Sequence, residues 1–428
     1  MGIKFPYLTA LDIDEIMPFC CRGGHLMYIK REIESTIDAM LKQGKVVLVT
    51  GARQVGKTTM LRHHLNDAFS YVSMENPRDY LLAKEDAALF FESKTLPLII
   101  DEVQRVPELF SPVKWVVDQS EEKGRIVLTG SQTFHLMKGV SESLAGRIRI
   151  LEMPGLSLRE LSSNSSDPHP YIPKMVDDSA NPSSADVWDV IHRGSMPELQ
   201  DPDIDWDLFY ADYVASYLER DVRALVNVKD EAKFYSFMIA CAARTGQLLN
   251  ASDIAKTVDV DHKTIKAWLS VLQASNIVRV IEPFWPNIDK RLTKTPKIFF
   301  MDTGLVCHLT RWTTPDQLRN GAAAGHVFET FVVSEILKSF MNSGKSLHDI
   351  WFYRDAKKRE IDLIIQDGRT LHPVEVKTSA TVRRDAVKNF AYLENLSGYE
   401  VGFGHVVCQT PDPYLITRTV QAVPIWKI

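Results

Sequence analysis

Apolar residues recur every four positions over residues 27–41, at Ile29, Ile33, Ile37 and Leu41, and predict an amphipathic helix. Residues 46–49 form instead a continuous apolar run, the pattern of a strand buried on both faces of a parallel sheet. Short apolar stretches return at 71–74, 98–100 and 126–128, with helical spacing between them. Strands and helices alternating in this way predict a doubly wound α/β layer. The pattern breaks at 162–185, where SSNSSDPHPYIPKMVDDSANPSSA is rich in Ser, Pro and Asp and predicts a surface loop or linker. Helical spacing resumes over 187–243, and a compact segment follows from 248 to 309. A Gly/Ala stretch at 321–325 then precedes a helix at 327–340. Period-two alternation predicts strands at 361–365 and 372–378, followed by a helix near 384–393.

These breaks divide the chain into an extension (1–26), an α/β core (27–160), a loop with helical linker (161–245), a compact helix-rich unit (246–310) and a C-terminal α/β unit (318–428). A chain of 428 residues is too long for one core, in keeping with several domains. A net charge of −5 excludes a bulk polycation that coats nucleic acid, so any such contact needs a local basic patch. Five cysteines, none in a CxxC pair, argue against a disulfide framework or zinc ribbon and for a reducing compartment. No apolar run reaches the roughly 18 residues of a membrane span, and no secretory signal opens the chain. The expectation is a cytoplasmic protein without membrane contact. Residues 1–26 lack periodicity, which favours Met27 over Met1 as the start.

The sequence VVLVTGARQVGKTT places G-x-x-x-x-G-K-[ST] directly between a buried strand and a helix, the context this phosphate-binding motif requires. Gly51 and Gly56 allow turns that a Cβ would forbid, so that the amides of Ala52, Arg53, Gln54, Val55, Lys57 and Thr59 can point at phosphate oxygens. The helix beginning near Thr58 adds its N-terminal dipole. Lys57 is expected to reach the β- and γ-phosphates of ATP, and the Thr58 hydroxyl to ligate Mg²⁺. In LPLIIDEVQRV an apolar strand ends in Asp101 and Glu102. Asp101 is placed for the Mg²⁺ shell and Glu102 for general base; the bland reading is a solvated acidic turn. The strand 126–128 ends in TGSQ, where Ser131 or Gln132 either senses the γ-phosphate or caps a helix. In SLAGRIRI, Arg147 and Arg149 are candidates for an arginine finger, in their own subunit or across a homo-oligomer.

This order of phosphate loop, Asp-Glu strand, polar strand tip and arginine resembles the AAA-type ATPases. It is similar in particular to a bacterial and archaeal family in which this module precedes a domain of unknown function. The resemblance starts at MYIKREIE and runs through HRGSMPE (192–198), YVASYLERDVR (213–223) and KIFFMDTGL (297–305), leaving out residues 1–26 and the Ser/Pro/Asp loop. It implies ATP binding and hydrolysis, without a settled biological role.

Two further segments carry chemistry. The stretch LLNASDIAKTVDVDHKTIKAWLSVLQASNIVRVIEPF fits a winged helix. Ser252 is the expected cap of a first helix carrying Ile254, Ala255 and Val258, with a turn at 259–261. A second helix buries Ile265, Trp268, Leu269 and Leu272. His262, Lys263, Thr264 and Lys266 are then left to meet DNA, residues 277–281 form the wing strand, and Lys290, Arg291, Lys294 and Lys297 are placed near phosphates. At the C-terminus, REIDLII and HPVEVKTS place Asp362 in one strand and Glu375 and Lys377 on one face of the next. This resembles the PD-(D/E)XK restriction-endonuclease-like fold, with Asp362 and Glu375 as metal ligands, Lys377 beside them and Glu329 as a further carboxylate. The alternative is a nucleotide-controlled binding or scaffold module, its C-terminal domain an inert platform.

Overall fold

The computed structural model describes residues 28–131, 143–162, 167–177, 186–218, 222, 231–285 and 295–428. The expected extension at 1–26 lies outside these residues, as do Gln132, Lys290, Arg291 and Lys294.

Helix α1 (Ile33–Leu41) buries Ile33 and Ile37, on the predicted stripe. It starts later than the periodicity suggests because Glu34 turns back at its first turn, accepting hydrogen bonds from the Arg31 amide at 2.9 Å and the Tyr28 hydroxyl at 2.6 Å. Five parallel strands follow: β1 (Val46–Thr50), β2 (Ser70–Ser73), β3 (Leu98–Asp101), β4 (Ile126–Thr129) and β5 (Ile148–Glu152), in the order β2-β3-β4-β1-β5. Side chains alternate across β1. Val47 and Val49 enter one apolar core, while Val46 and Leu48 enter another beneath the opposite face. This is why the strand reads as an unbroken apolar run. β5 was not expected: its IRILE pattern is only half apolar, and it forms the sheet edge.

Helices Val187–Arg193, Trp206–Tyr217 and Glu231–Ala242 confirm the helical segment. Then come β6 (Gln247–Leu248), helices Ala251–Val258 and His262–Ala274, β7 (Val278–Ile281) and β8 (Lys297–Phe300), with an antiparallel sheet ordered β6-β8-β7. The first of these helices is capped by Asn250, not Ser252: the Asn250 side chain accepts from the Asp253 amide at 3.1 Å. Trp268 is core, edge-on to Phe234 and Phe237.

The long helix Ala324–Asn342 is buried on nearly every side and touches α1, β5, β8 and β11. It belongs to the largest core, which also holds residues of the first sheet and of the second. That second, mixed sheet comprises β9 (Ile350–Arg354), β10 (Glu360–Asp367), β11 (Thr370–Val376), β12 (Glu400–Val401), β13 (Gly404–Cys408), β14 (Tyr414–Leu415) and β15 (Val420–Pro424). The helix expected near 384–393 is a 3₁₀ helix, Arg384–Asn395.

The described part of the predicted loop or linker is fastened to its neighbours. Residues 168–177 carry no regular structure but form a strap across the C-terminal sheet. The Tyr171 amide donates to Ser339 Oγ at 2.9 Å and its hydroxyl meets His405 Nδ1 at 2.5 Å. Val176 exchanges two hydrogen bonds of 2.9 Å with the Gln421 amide. Among the described residues, no helix is long and apolar enough to cross a membrane.

Candidate functional site

The loop between β1 and helix α2 (Lys57–His64) turns at Gly51 (φ 145°), Gln54 (φ 59°) and Gly56 (φ 88°). At Gly51 a Cβ would lie 2.2 Å from the Met153 carbonyl oxygen, so only glycine fits. The Lys57 side chain is buried and donates to the carbonyl oxygens of Gly51 (3.0 Å) and Ala52 (2.7 Å), closing the loop around its own ammonium. From the first turn of α2, Thr58 Oγ1 donates to the Asp101 carboxylate at 3.0–3.1 Å. Asp101 ends β3, and a second hydroxyl reaches it from β2: Tyr71 donates at 2.8 Å. Glu102 follows in a left-handed conformation (φ 55°), and the Gln104 amide donates to its carboxylate. Burial pushes the Glu102 carboxyl above the ordinary range, opposed by the charges of Lys57 and Arg53. Ser131, beyond the tip of β4, is buried, and its Oγ has no partner among the described residues. An adjacent hydroxyl and carboxylate, a buried lysine and an orphaned polar atom on one sheet end form a donor set that fits MgATP.

Residues 43–162 match the model of an AAA domain. The first domain is an AAA-type P-loop domain. Residues 184–316 and 324–428 match two different models, each described as a domain of unknown function (DUF8612 and DUF4143). An uncharacterized protein of Mycobacterium tuberculosis is 27% identical over 378 residues, which is 88% of this chain and 80% of that protein; one of Mycobacterium bovis matches equally. Among solved structures, the Walker-type ATPase of Pyrococcus abyssi matches 66% of this chain and 96% of its own, at 15% identity and a TM-score of 0.40. The Thermotoga maritima RuvB branch migration motor matches 58% of this chain and 88% of its own, at 16% identity and a TM-score of 0.28.

Within the AAA domain the arginines stand elsewhere than a finger acting on its own loop would. Arg147 precedes β5, and its carbonyl accepts from the Val46 amide at the start of β1. The loop leaves the other end of that strand, roughly 15 Å away at strand rise. Arg147 is paired there with Asp118 at 2.7 Å, and Arg149 lies further along β5 beside Val47. Sequence reasoning missed Tyr71, Gln104 and above all Arg31. The buried Arg31 guanidinium donates to the carbonyls of Val55 (2.9 Å), Pro154 (2.8 Å) and Gly155 (3.2 Å) and pairs with Glu160 at 3.0 Å. Its position in MYIKREIE was the only signal.

The C-terminal residues also converge. Pairing of β10 with β9 shifts register between Ile361 and Ile364, and Asp362 lies in this irregularity. Its Oδ2 accepts from the Val376 amide at 2.9 Å, next to Glu375, whose Oε1 takes Lys377 at 2.7 Å. Burial first, then the charge of Asp362, raises the carboxyls of both Glu329 and Glu375. Lys297, expected near phosphates, is instead buried here, on Glu329 at 2.7 Å and Glu360 at 2.6 Å. Among the described residues, no three His, Cys, Asp or Glu side chains gather closely enough to hold a metal ion. The two carboxylates expected from the sequence as metal ligands, Asp362 and Glu375, lie on the adjoining strands β10 and β11.

Proposed function

We propose that the AAA domain binds ATP with Mg²⁺ and hydrolyses it, and that nucleotide state governs how the C-terminal regions engage nucleic acid. The observation that carries this reading is the meeting of the Thr58 hydroxyl with the Asp101 carboxylate beneath the loop, with Glu102 next in the chain. Loop amides and the start of α2 receive the phosphates. Lys57 exchanges the carbonyls of Gly51 and Ala52 for phosphate oxygens. Thr58 and Asp101 hold Mg²⁺, which offsets charge on the phosphates. Glu102 takes the proton of the attacking water. Ser131, whose hydroxyl has no partner among the described residues, orients the water or the terminal phosphate from the adjoining strand tip. Arg147 serves only the loop of a neighbouring copy, which makes an oligomer part of this reading.

The test is a pair of variants. Lys57→Ala abolishes saturable ATP binding, whereas Glu102→Gln binds ATP and lowers kcat about 10²-fold or more, the range of a lost general base. Hydrolysis by Glu102→Gln at the wild-type rate rules out the assignment of the base.

A second reading concerns the other two units. The order of helices and strands over 231–300 supports the winged-helix reading, and His262, Lys263 and Lys266 are exposed at the start of the helix His262–Ala274. The irregularity at Asp362, beside Glu375 and Lys377, favours a nuclease-like site over a solvated hairpin. Plasmid DNA incubated with the protein and Mg²⁺ or Mn²⁺ decides it. Cleavage lost in Asp362→Ala supports the nuclease; neither cleavage nor DNA binding makes the domain a platform for a protein partner.

A further inference from the structure

Lys297 begins β8, outside the C-terminal domain, yet its side chain is only 2% exposed. Its ammonium is shared by two carboxylates from different elements, Glu329 of the long helix and Glu360 of β10, at 2.7 and 2.6 Å. The Phe352 ring lies 5.6 Å away. Glu360 also pairs with Arg354 at 2.5 Å. An ammonium enclosed in this way cannot touch a substrate. It neutralises carboxylates that would otherwise repel one another in a buried space.

The same cluster has a second, less neutralised end. Asp362 and Glu375 stand there with Lys377, which bonds one oxygen of Glu375. The other oxygen, Oε2, is buried and has no partner among the described residues, in a residue only 8% exposed. Mg²⁺ or Mn²⁺ is commonly held by one or two carboxylates with water completing the shell. Each end of the cluster supplies two, and one end is already filled by a protein cation.

We propose that the Lys297 ammonium is a tethered cation occupying a divalent-metal position made by Glu329 and Glu360, so that the cluster takes one metal ion, at Asp362 and Glu375, rather than two. Lys297 is thus a positioning residue, and Glu329 is its partner, not a metal ligand. The count of one rests on the reading of Asp362 and Glu375 given above, whereas the role of Lys297 does not. Phosphodiester chemistry at this site then proceeds without a symmetric metal pair. The cation comes from the strand next to the helix-turn-helix, so the unit before the C-terminal domain completes the site.

The experiment counts Mn²⁺ bound by the full-length, nucleotide-free chain, by equilibrium dialysis and electron paramagnetic resonance. Lys297→Met should bind one more ion per chain than wild type, and Mn²⁺ should raise its Tm. Lys297→Met with Glu329→Gln should return to the wild-type count, and Lys297→Arg should not depart from it. An unchanged count in Lys297→Met, or an extra ion retained in the double variant, overturns the proposal. Should Lys297→Met fold only with Mn²⁺ present, the proposal is supported. Failure to fold with Mn²⁺ while the double variant folds overturns it. Asp362→Asn tests the other end separately: if it leaves the wild-type count unaltered, the reading of Asp362 and Glu375 fails while the Lys297 comparison still stands.

Discussion

Tyr71 reaches Asp101 from the neighbouring strand, and the two residues lie two positions out of register, since Tyr71 pairs with Ile99 and Ser73 with Asp101. Its phenol is pushed up to about 12 by burial and by the Asp101 charge, so it remains a donor across the working pH range. Tyr71→Phe removes one of the hydroxyls that aim the carboxylate without touching the loop. The hydroxyl is partly solvated, so the loss falls below the range for a buried bond to a charge and near that of an ordinary hydrogen bond, about 1 kcal/mol, or roughly fivefold. The expected outcome is a fivefold rise in the Mg²⁺ concentration for half-maximal ATPase rate, with the ATP-loop fold retained. Thr58→Ala should do more, because in the proposed reading it removes a Mg²⁺ ligand as well as a donor to Asp101. Glu102 adds a pH signature. Burial raises its carboxyl, so it becomes a base only at higher pH than an exposed glutamate, and the acidic limb of kcat should lie above the ordinary glutamate value. That limb should vanish in the residual activity of Glu102→Gln. These roles differ in how far they could be read in advance. Lys57, Thr58 and Asp101 belong to runs whose spacing and strand-to-helix context point to the proposed chemistry. Tyr71 and Lys297 act through partners 30 and 32 positions or more away, and a lone tyrosine or lysine carries no spacing.

Among the elements, the three inner strands of the first sheet, β1, β3 and β4, were legible because burial on both faces leaves an almost unbroken apolar run. Edge strand β5 was not, because Arg149 and Glu152 interrupt its apolar run and only Leu151 is fully buried. The strap at 168–177 was unreadable for another reason: its Ser/Pro/Asp-rich surroundings suggest a linker, while the groups that fasten it lie more than 160 positions later. Its central contact makes a test. His405 accepts from the Tyr171 hydroxyl at Nδ1 and donates from Nε2 to the Lys174 carbonyl at 2.8 Å, which requires the neutral ring. Burial lowers its pKa to about 4 from an ordinary 6.5. The unfolded chain therefore binds a proton that the folded chain refuses between those values. Stability from this group is complete above about pH 6.5 and falls as pH drops toward 4, by roughly 3 kcal/mol in total. Urea unfolding between pH 7 and pH 4 should show this loss, and His405→Gln should flatten it. An equally steep loss in His405→Gln would assign it to other groups.

Across the whole molecule, one buried polar network joins the phosphate loop to the C-terminal domain. Arg31 grips the Val55 carbonyl within the loop and the Glu160 carboxylate. Glu160 also accepts from the amides of Glu32 and Ser157, and Glu32 pairs with Arg159 and accepts from Asn342 of the long helix. Beside it, the Leu158 amide donates to Glu335, and Lys338 donates to the Leu156 carbonyl. The far end of the same helix carries Glu329, on Lys297. In the proposed reading phosphates displace Lys57 from the loop carbonyls, and the network is the route by which a change in the loop would reach a helix that touches both sheets. Contiguity alone does not establish coupling; a perturbation along the path must alter binding at its end. Arg31→Met is that perturbation. It strands Glu160 and three carbonyls in the interior, and the expected cost is about 3–5 kcal/mol in urea unfolding. If the network shapes the loop, ATP affinity measured where the variant is still folded should also drop about tenfold. Phe390→Leu, in the separate core under the outer face of the second sheet, is the control that loses stability but not affinity. ATP binding as tight in Arg31→Met as in wild type would separate the network from the loop and leave it a structural seam between domains.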